Sequence, residues 1–530
     1  MVTFAATQDD DASYKWLLLS IMLLGSFMAT LDASIVNVSL PSIMADFGAS
    51  VDQIEWVVTG YMLTFASLIS LTGWMRDQIG NKRLFVASLV VFTFGSVLCG
   101  MAWNLPSLIF ARVLQAIGGG AINPTAMAMI SNVFEPHERA KALSYWGVGV
   151  IVGPAIGPTL GGYLTYHISW RAIFMVNLPV GILATILSAI IIRKDKSEDI
   201  SKRPFDFFGF VFLAAFLVSF LLALNKGDRE GWTSTYIITC AAIAILSLIG
   251  FLTVEFQIKH PILDLRIFQN KVFSSSILVT AGRSVGLFGG TFLLPLFMQI
   301  FMGLDEIQSG LVLLPGAIII GFMMPLAPKL SEKFGVRATS IAGLLGVAWF
   351  MFSYRNISVN TAIWGVIAPT IIRGIGIGLL VAPVMAIALN SVPKSQTGQA
   401  SVMLNLIQQV AGSIGIAILG TTLSIRTKFH LLAIGSALNV NQPAGKRAMS
   451  EIYYRAMRVG YSPAESFAVV RAMLIKHVIA TGSVAGYQDS FVVGGIIIVF
   501  TITFAFFLPA RSAHAGAVGA KIADEPTILE

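Results

Sequence analysis

Four charged residues sit inside long apolar stretches of this chain: Asp32, Arg112, Arg283 and Arg373. A charge at the centre of a bilayer costs about 2.5–3.5 kcal/mol even on the lenient insertion scales. Each should therefore face a water-filled cavity or a partner of its own. Asp32 lies toward the outer third of its stretch. A carboxyl partly withdrawn from water can exchange a proton with a cavity; the alternative is a helix-end carboxylate wetted from outside. Arg112 falls just inside its stretch, where it either meets an acid or tethers backbone carbonyls. Arg283 is a candidate cavity-lining cation, and Arg373 a structural or electrostatic one. Cys99 and Cys240 fall in apolar stretches and read as packing residues. Six scattered His have no metal-ligand spacing, and no His, Asp and Glu cluster gathers at one membrane face. The expectation is no enzyme, no metal and no cofactor.

The elements that hold these residues are membrane helices. Of 530 residues, 56% are hydrophobic and 12% charged, and the mean hydropathy is +0.80. Soluble chains carry about twice that charge. The apolar residues come in blocks of roughly 20, enough to cross a core of about 30 Å. Fourteen such blocks run 16–38, 53–72, 84–101, 107–130, 142–164, 171–192, 207–225, 235–255, 273–298, 309–327, 338–355, 362–389, 399–424 and 488–509. An even number puts both termini on one side. Lys and Arg choose that side: twenty fall on the N-terminal side, including Arg76, Lys82, Arg83, Lys196, Lys202 and Arg203. Four face the other way: Arg171, Lys226, Arg229 and Arg355. Both ends are therefore expected in the cytoplasm. The net charge of +8 has the same origin and does not indicate nucleic acid. The polar start lacks a basic region and a cleavage site, so the first span is expected to act as an uncleaved signal. The segment 425–487 is the one large piece outside the spans. Its part Lys446–His477 reads as amphipathic helices broken near Gly460–Pro463, either a solvated cap or a docking site for a periplasmic partner.

Two short loops repeat. Gly73, Asp77, Gly80, Lys82 and Arg83 precede the third span; Glu332, Gly335 and Arg337 precede the eleventh. Acid, glycine and base keep their spacing at an offset of 255 residues (77 to 332), and Pro124 echoes Pro383 at 259. Two echoes at nearly one offset argue for a duplicated six-span half with spans seven and eight inserted between the copies. An acid at a helix terminus, a glycine turn and a nearby base can latch two helix bundles in one state and release them in another. The plain alternative is an ordinary charged loop.

At these residues the chain resembles the major facilitator superfamily. Leu31-Asp32 through Leu40-Pro41 is similar to the first-span motif of the fourteen-span drug:proton antiporters. Arg112, Gln115 and Gly118–Gly120 resemble the fourth-span motif. Gly153, Pro154, Gly157, Pro158, Gly161 and Gly162 resemble the antiporter motif of span five. Trp170-Arg171, Asn177-Leu178-Pro179, His260-Pro261 and the segment with Tyr487 and Asp489 opening the last helix look most like the EmrB branch. The resemblance implies an all-α membrane fold of two six-helix bundles plus two inserted helices. It divides the chain into a cytoplasmic tail 1–15, an N-terminal bundle 16–192, linkers with the inserted helices 193–271, a C-terminal bundle 272–510 and a tail 511–530. It implies inner-membrane export of drugs or other amphiphiles driven by the proton gradient, with proton coupling through Asp32 and Arg112. It further implies partnership with an HlyD-type periplasmic adaptor and an outer-membrane channel. The glycine-rich motif would make a contact that seals the cytoplasmic side; generic small-residue packing is the alternative. Candidate substrate-cavity residues are Asn37, Tyr61, Phe65, Arg283, Phe288, Phe292, Phe297, Gln299, Asn405, Gln408 and Gln409. Spans ten and thirteen lack the acids of relatives that export dications, which favours neutral, anionic or amphiphilic compounds. A dedicated exporter of one metabolite, such as a siderophore, is the alternative within the same fold.

Overall fold

The computed structural model describes residues 8–195, 204–259, 261–437 and 443–510. Lys196, Lys202, Arg203, His260 and the tail 511–530 lie outside them. Among the described residues, fourteen helices are long and apolar enough to cross a membrane. The fold is all-α. A first bundle comprises α1 (Gln8–Phe47), α2 (Val51–Ile79), α3 (Asn81–Gly100), α4 (Leu105–Val133), α5 (Pro136–His167), and α6 (Ala172–Met175) with α7 (Asn177–Ile191) as two pieces of one span. Two inserted helices follow, α8 (Phe207–Glu230) and α9 (Thr235–Gln257). The second bundle comprises α10 (Lys271–Phe301), α11 (Glu306–Phe334), α12 (Val336–Ser353), α13 (Ile363–Asn390), α14 (Thr397–Ala437) and α16 (Pro463–Ala505). The helix α15 (Pro443–Arg458) is not a span. The end of the molecule where α1 begins is the N-side here, and the other end the far side.

Hydrocarbon offers backbone groups no partners, so each span closes its own hydrogen bonds. The termini need other partners. Four helices that begin on the far side carry capping boxes: Ser50 with Gln53, Asn104 with Ser107, Asp305 with Gln308 and Ser462 with Glu465. The repeat is visible in the backbone. Gly80 and Gly335 hold φ of 84° and 87° in the α2–α3 and α11–α12 turns, a region that favours glycine. The sixth span breaks at Val176 because Pro179 has no N–H for the carbonyl a turn back. Beside the break, Ser96 Oγ donates to the Phe174 carbonyl at 2.8 Å.

Two expected boundaries were too short. The thirteenth span, expected at 399–424, runs on to Ala437 in α14. The last helix does not open at Tyr487 and Asp489 but at Pro463. Leu431 packs on Gly482 and Thr427 on Gly486, so the two long helices stay paired beyond the bilayer blocks. Arg426 Nε and His430 Nε2 both reach Asp489 Oδ2, at 2.5 and 2.7 Å. The amphipathic helices expected here are α15 and the start of α16, separated by a turn at Gly460 with φ 102°.

The bundles meet through α5 against α11 and α13, and through α14 against α2 and α4. Polar bonds between them lie on the N-side. Arg139 Nη1 donates to Asn390 Oδ1 at 2.6 Å, Asn390 Nδ2 to the Pro136 carbonyl at 3.0 Å, and Ser401 Oγ to the Pro124 carbonyl at 2.8 Å. The Arg76 side chain lies directly on Gly398, filling the place a Cβ would take. This is the form closed on the N-side.

Candidate functional site

Asp32 on α1 is 0% exposed and Arg112 on α4 is 1% exposed. Arg112 Nη1 donates to Asp32 Oδ2 at 2.7 Å. Three further helices complete the cluster. Gln115 Nε2, one turn along α4, donates to Asp32 Oδ1 at 2.8 Å. Asn177 Nδ2, from the first residue of α7, donates to the same oxygen at 2.8 Å and to Ser96 Oγ of α3 at 3.0 Å. Arg112 also donates to Gln115 Oε1 at 2.7 Å and, through Nε, to the Val57 carbonyl of α2 at 3.3 Å. Its guanidinium lies 4.0 Å from the Tyr61 ring centroid, and Tyr61 stacks on Phe65 at 5.8 Å. Two polar atoms of the cluster are buried without a partner: Tyr61 Oη and Asn177 Oδ1.

Close helix approach makes this cluster compact. A Cβ on Gly95 of α3 would lie 2.6 Å from Gln115 Cα, and one on Gly118 would overlap the Phe92 backbone. Glycine at both places lets α3 and α4 touch backbone to backbone. The ion pair itself is held by charge-assisted bonds in a buried site, where each is stronger than its surface counterpart.

These positions correct the sequence expectation in part. Asp32 reaches neither a cavity nor outside water in this form. Arg112 does both things proposed for it, since it pairs with an acid and holds a backbone carbonyl. Tyr61, expected in the substrate cavity, is buried under Arg112. Gln115 and Asn177 stand in the quoted motifs but were not singled out; a polar side chain inside an apolar block was the available signal.

The repeated loops also differ from expectation. Lys82 Nζ donates to the Ile192 carbonyl at 2.5 Å, and Arg337 Nε to the Leu508 carbonyl at 2.7 Å. Each base ties the third helix of its bundle to the end of the sixth. They brace one bundle internally and do not latch one to the other. Asp195 caps the start of α3, accepting from Lys82 N and Asn81 Nδ2, both at 3.0 Å. Asp77 pairs with Arg76 at 2.8 Å, and Arg83 and Glu332 are exposed. Across the bundles, the Arg76 side chain lies on Gly398, and a Cβ on Gly73 would lie 3.8 Å from Val402.

The glycine motif of α5 packs within its own bundle. Cβ atoms on Gly153 and Gly161 would fall 2.6 Å from Thr30 Oγ1 and 2.7 Å from the Ile35 carbonyl, and one on Gly157 would overlap Ser34, all on α1. A Cβ on Gly162 would lie 3.7 Å from Val38, also on α1. This face does not close the N-side, because α5 meets α11 through other residues, such as Val148 against Gly321. Pro154 and Pro158 stand inside a helix that remains continuous.

In the second bundle, Arg283 Nη2 donates to Gln408 Oε1 at 2.9 Å. Asn405 Nδ2 turns back to the Ser401 carbonyl at 2.9 Å, and Gln409 is half-buried. Phe292, Gln299 and, on α1, Asn37 are exposed, whereas Phe297 is buried against Tyr487 and Phe301.

A family model described as Major Facilitator Superfamily matches residues 22–416. The chain belongs to the major facilitator superfamily. It is 31% identical over 508 residues to the MFS-type transporter YhcA of Bacillus subtilis, covering 95% of this chain and 94% of that one. It is 28% identical over 470 residues to the multidrug export protein EmrB of Haemophilus influenzae, covering 88% and 90%. Among solved structures it resembles the proton:xylose symporter XylE with a TM-score of 0.61 at 14% identity, covering 96% of this chain and 99% of that one. That likeness concerns the fold. This major facilitator is therefore a multi-pass membrane transporter whose relatives include multidrug exporters.

Proposed function

We propose that this transporter is a proton-coupled antiporter of the cytoplasmic membrane, with both termini inside, that exports drugs or other small amphiphiles. The observation that carries the reading is the buried Asp32–Arg112 pair. A carboxylate held by one arginine and two amides is an ion pair that one proton dissolves. When the proton binds Asp32, the acid becomes neutral and its attraction across α1 and α4 falls. Arg112 is not abandoned, because Gln115 Oε1, the Val57 carbonyl and the Tyr61 ring already hold it. The unpartnered Asn177 Oδ1 is a spare acceptor in the same cluster. The pair is thus breakable at modest cost, as a site that cycles must be. Helix re-packing around it is the link from proton to alternating access, and the present form is closed to the cytoplasm. In inverted membrane vesicles, an imposed inside-acid gradient should drive uptake of a fluorescent amphiphile, and a protonophore should abolish it. Uptake indifferent to the gradient would remove the antiport reading.

We also propose that the paired extension of α14 and α16, with α15, is the docking site for an HlyD-type periplasmic adaptor leading to an outer-membrane channel. Exposed Phe429, Leu432, Tyr454 and Phe467 give it an apolar surface suited to a helical partner. Deleting 440–474 and joining the ends with two glycines should leave the fourteen spans folded and end co-purification with the adaptor. Undiminished co-purification would place the docking site elsewhere.

A further inference from the structure

The two bundles are related by repetition, yet their buried arginines are partnered differently. Asp32 stands on the first helix of the first bundle. The offset of 259 that relates Pro124 to Pro383 carries position 32 to Thr291, on the first helix of the second bundle. Arg112 donates to Asp32, and Arg373, on the matching α13, donates from Nη1 to Thr291 Oγ1 at 3.5 Å. Each arginine also lies near an aromatic ring, Tyr61 of α2 in one case and Phe350 of α12 at 4.9 Å in the other. Arg373 stands two residues past the exact offset from Arg112, and the rings come from different helices, so the settings are comparable but not superimposable, with a hydroxyl where the first bundle has a carboxylate.

The consequence is an uncompensated charge. Arg373 is 6% exposed, its Nε has no partner, and among the described residues Tyr354 is the ionisable side chain near it. Arg283 is 3% exposed and donates to the neutral Gln408, and among the described residues no ionisable side chain faces it. It sits eight residues before Thr291 on α10, about 12 Å deeper along the helix. Two guanidinium groups buried without an anion are costly unless one arrives.

Thr291 stands where an arriving group would meet them. Gly282 and Gly286 turn one face of α10 to α16, through Thr501 and Ile498. Gly290 faces Phe350 of α12, and Phe292 reaches Gly420 of α14. At 100° per residue, Thr291 lies opposite the α16 face, on the side that meets Arg373 of α13. It is exposed there. The Thr291 hydroxyl donates to the Leu287 carbonyl at 2.7 Å, so its oxygen offers nothing stronger than a weak acceptor to Arg373.

We infer that Arg373 and Thr291 form a carboxylate-binding subsite, with Arg283 and Gln408 deeper in the same bundle, and that the transported amphiphiles carry one anionic head. The substrate's carboxylate takes the place that Asp32 fills in the first bundle. Planar guanidinium matches a carboxylate in two parallel bonds, and the exposed ring of Phe292 is available to an apolar body beside it. The first bundle then handles the proton and the second the anion. This rests on the transport reading and names its substrate class.

The test is binding to the full-length protein in nanodiscs, with 11-(dansylamino)undecanoic acid and its primary amide as probes. The two share one apolar body and differ in charge. Wild type should bind the acid about tenfold or more tightly than the amide, the value of a charge-assisted bond pair. Arg373→Gln should erase that preference and leave amide binding within about twofold. Thr291→Asp, which installs the first bundle's own acid beside Arg373, should erase it too, and covers the case in which Arg373→Gln fails to fold. Equal binding of acid and amide by wild type, or an undiminished preference in both variants, would overturn the subsite. Parallel loss of both probes in the variants would show Arg373 to be structural, and overturn it as well. A wild type that prefers the acid but does not transport it would keep the subsite and defeat the export reading instead.

Discussion

Arg112→Leu should destabilise the protein by about 3–5 kcal/mol, the cost of leaving a buried charge without its partner. Asp32 would keep Gln115 and Asn177 but lose its counter-ion in a buried site. The measurement is thermal unfolding in detergent on a Cys240→Ser background, followed by a thiol-reactive fluorophore that then reports Cys99, which is buried beside Gln115. The double change Arg112→Leu with Asp32→Asn removes both charges. It should recover most of the loss, because a buried ion pair contributes little beyond what a neutral, well-packed pair contributes. Transport should stay lost in both. A double variant as unstable as the single one would mean that Arg112 matters through its carbonyl and ring contacts, not through Asp32.

Stability and transport part company here for a physical reason. Fold stability needs the cluster neutral and hydrogen-bonded, which several side-chain sets achieve. A proton-driven cycle needs one group that changes charge and a second that responds to it. Of this cluster, Gln115, Asn177 and Ser96 carry no charge and Arg112 keeps its own, so the Asp32 carboxylate is the group that a proton can neutralise. The second bundle keeps a buried arginine, Arg373, with a hydroxyl rather than a carboxylate beside it.

The spans were legible because hydrocarbon imposes a length of apolar sequence that little else requires. Where a helix ends was less legible. Hydropathy marks where the chain touches lipid, and α14 and α16 continue past that point into water, the latter from a Ser462–Glu465 capping box. The break at Val176 had a visible cause in Pro179. Asp32 and Arg112 were legible as costly charges, but their pairing spans 80 residues of chain and depends on the glycine contact between α3 and α4. The loop bases Lys82 and Arg337 were legible as a repeat, but the helix ends they reach were not. Spacing tells that two loops do the same thing, and not which helix end each base reaches. The α5 glycines gave a smooth face without saying that α1, not the other bundle, covers it. Thr291 carries no charge to draw attention, and only the offset of the repeat could have found it.

The central claim is that Asp32 is the group whose protonation is coupled to transport. The direct measurement is Asp32→Asn in inverted vesicles, with uptake of a fluorescent amphiphile recorded against an imposed pH gradient. Asparagine keeps the size of the side chain and stands for the protonated acid. The account predicts a correctly folded protein whose gradient-driven uptake falls to the level of empty vesicles, with substrate binding retained. Full gradient-driven uptake by the asparagine variant would contradict it.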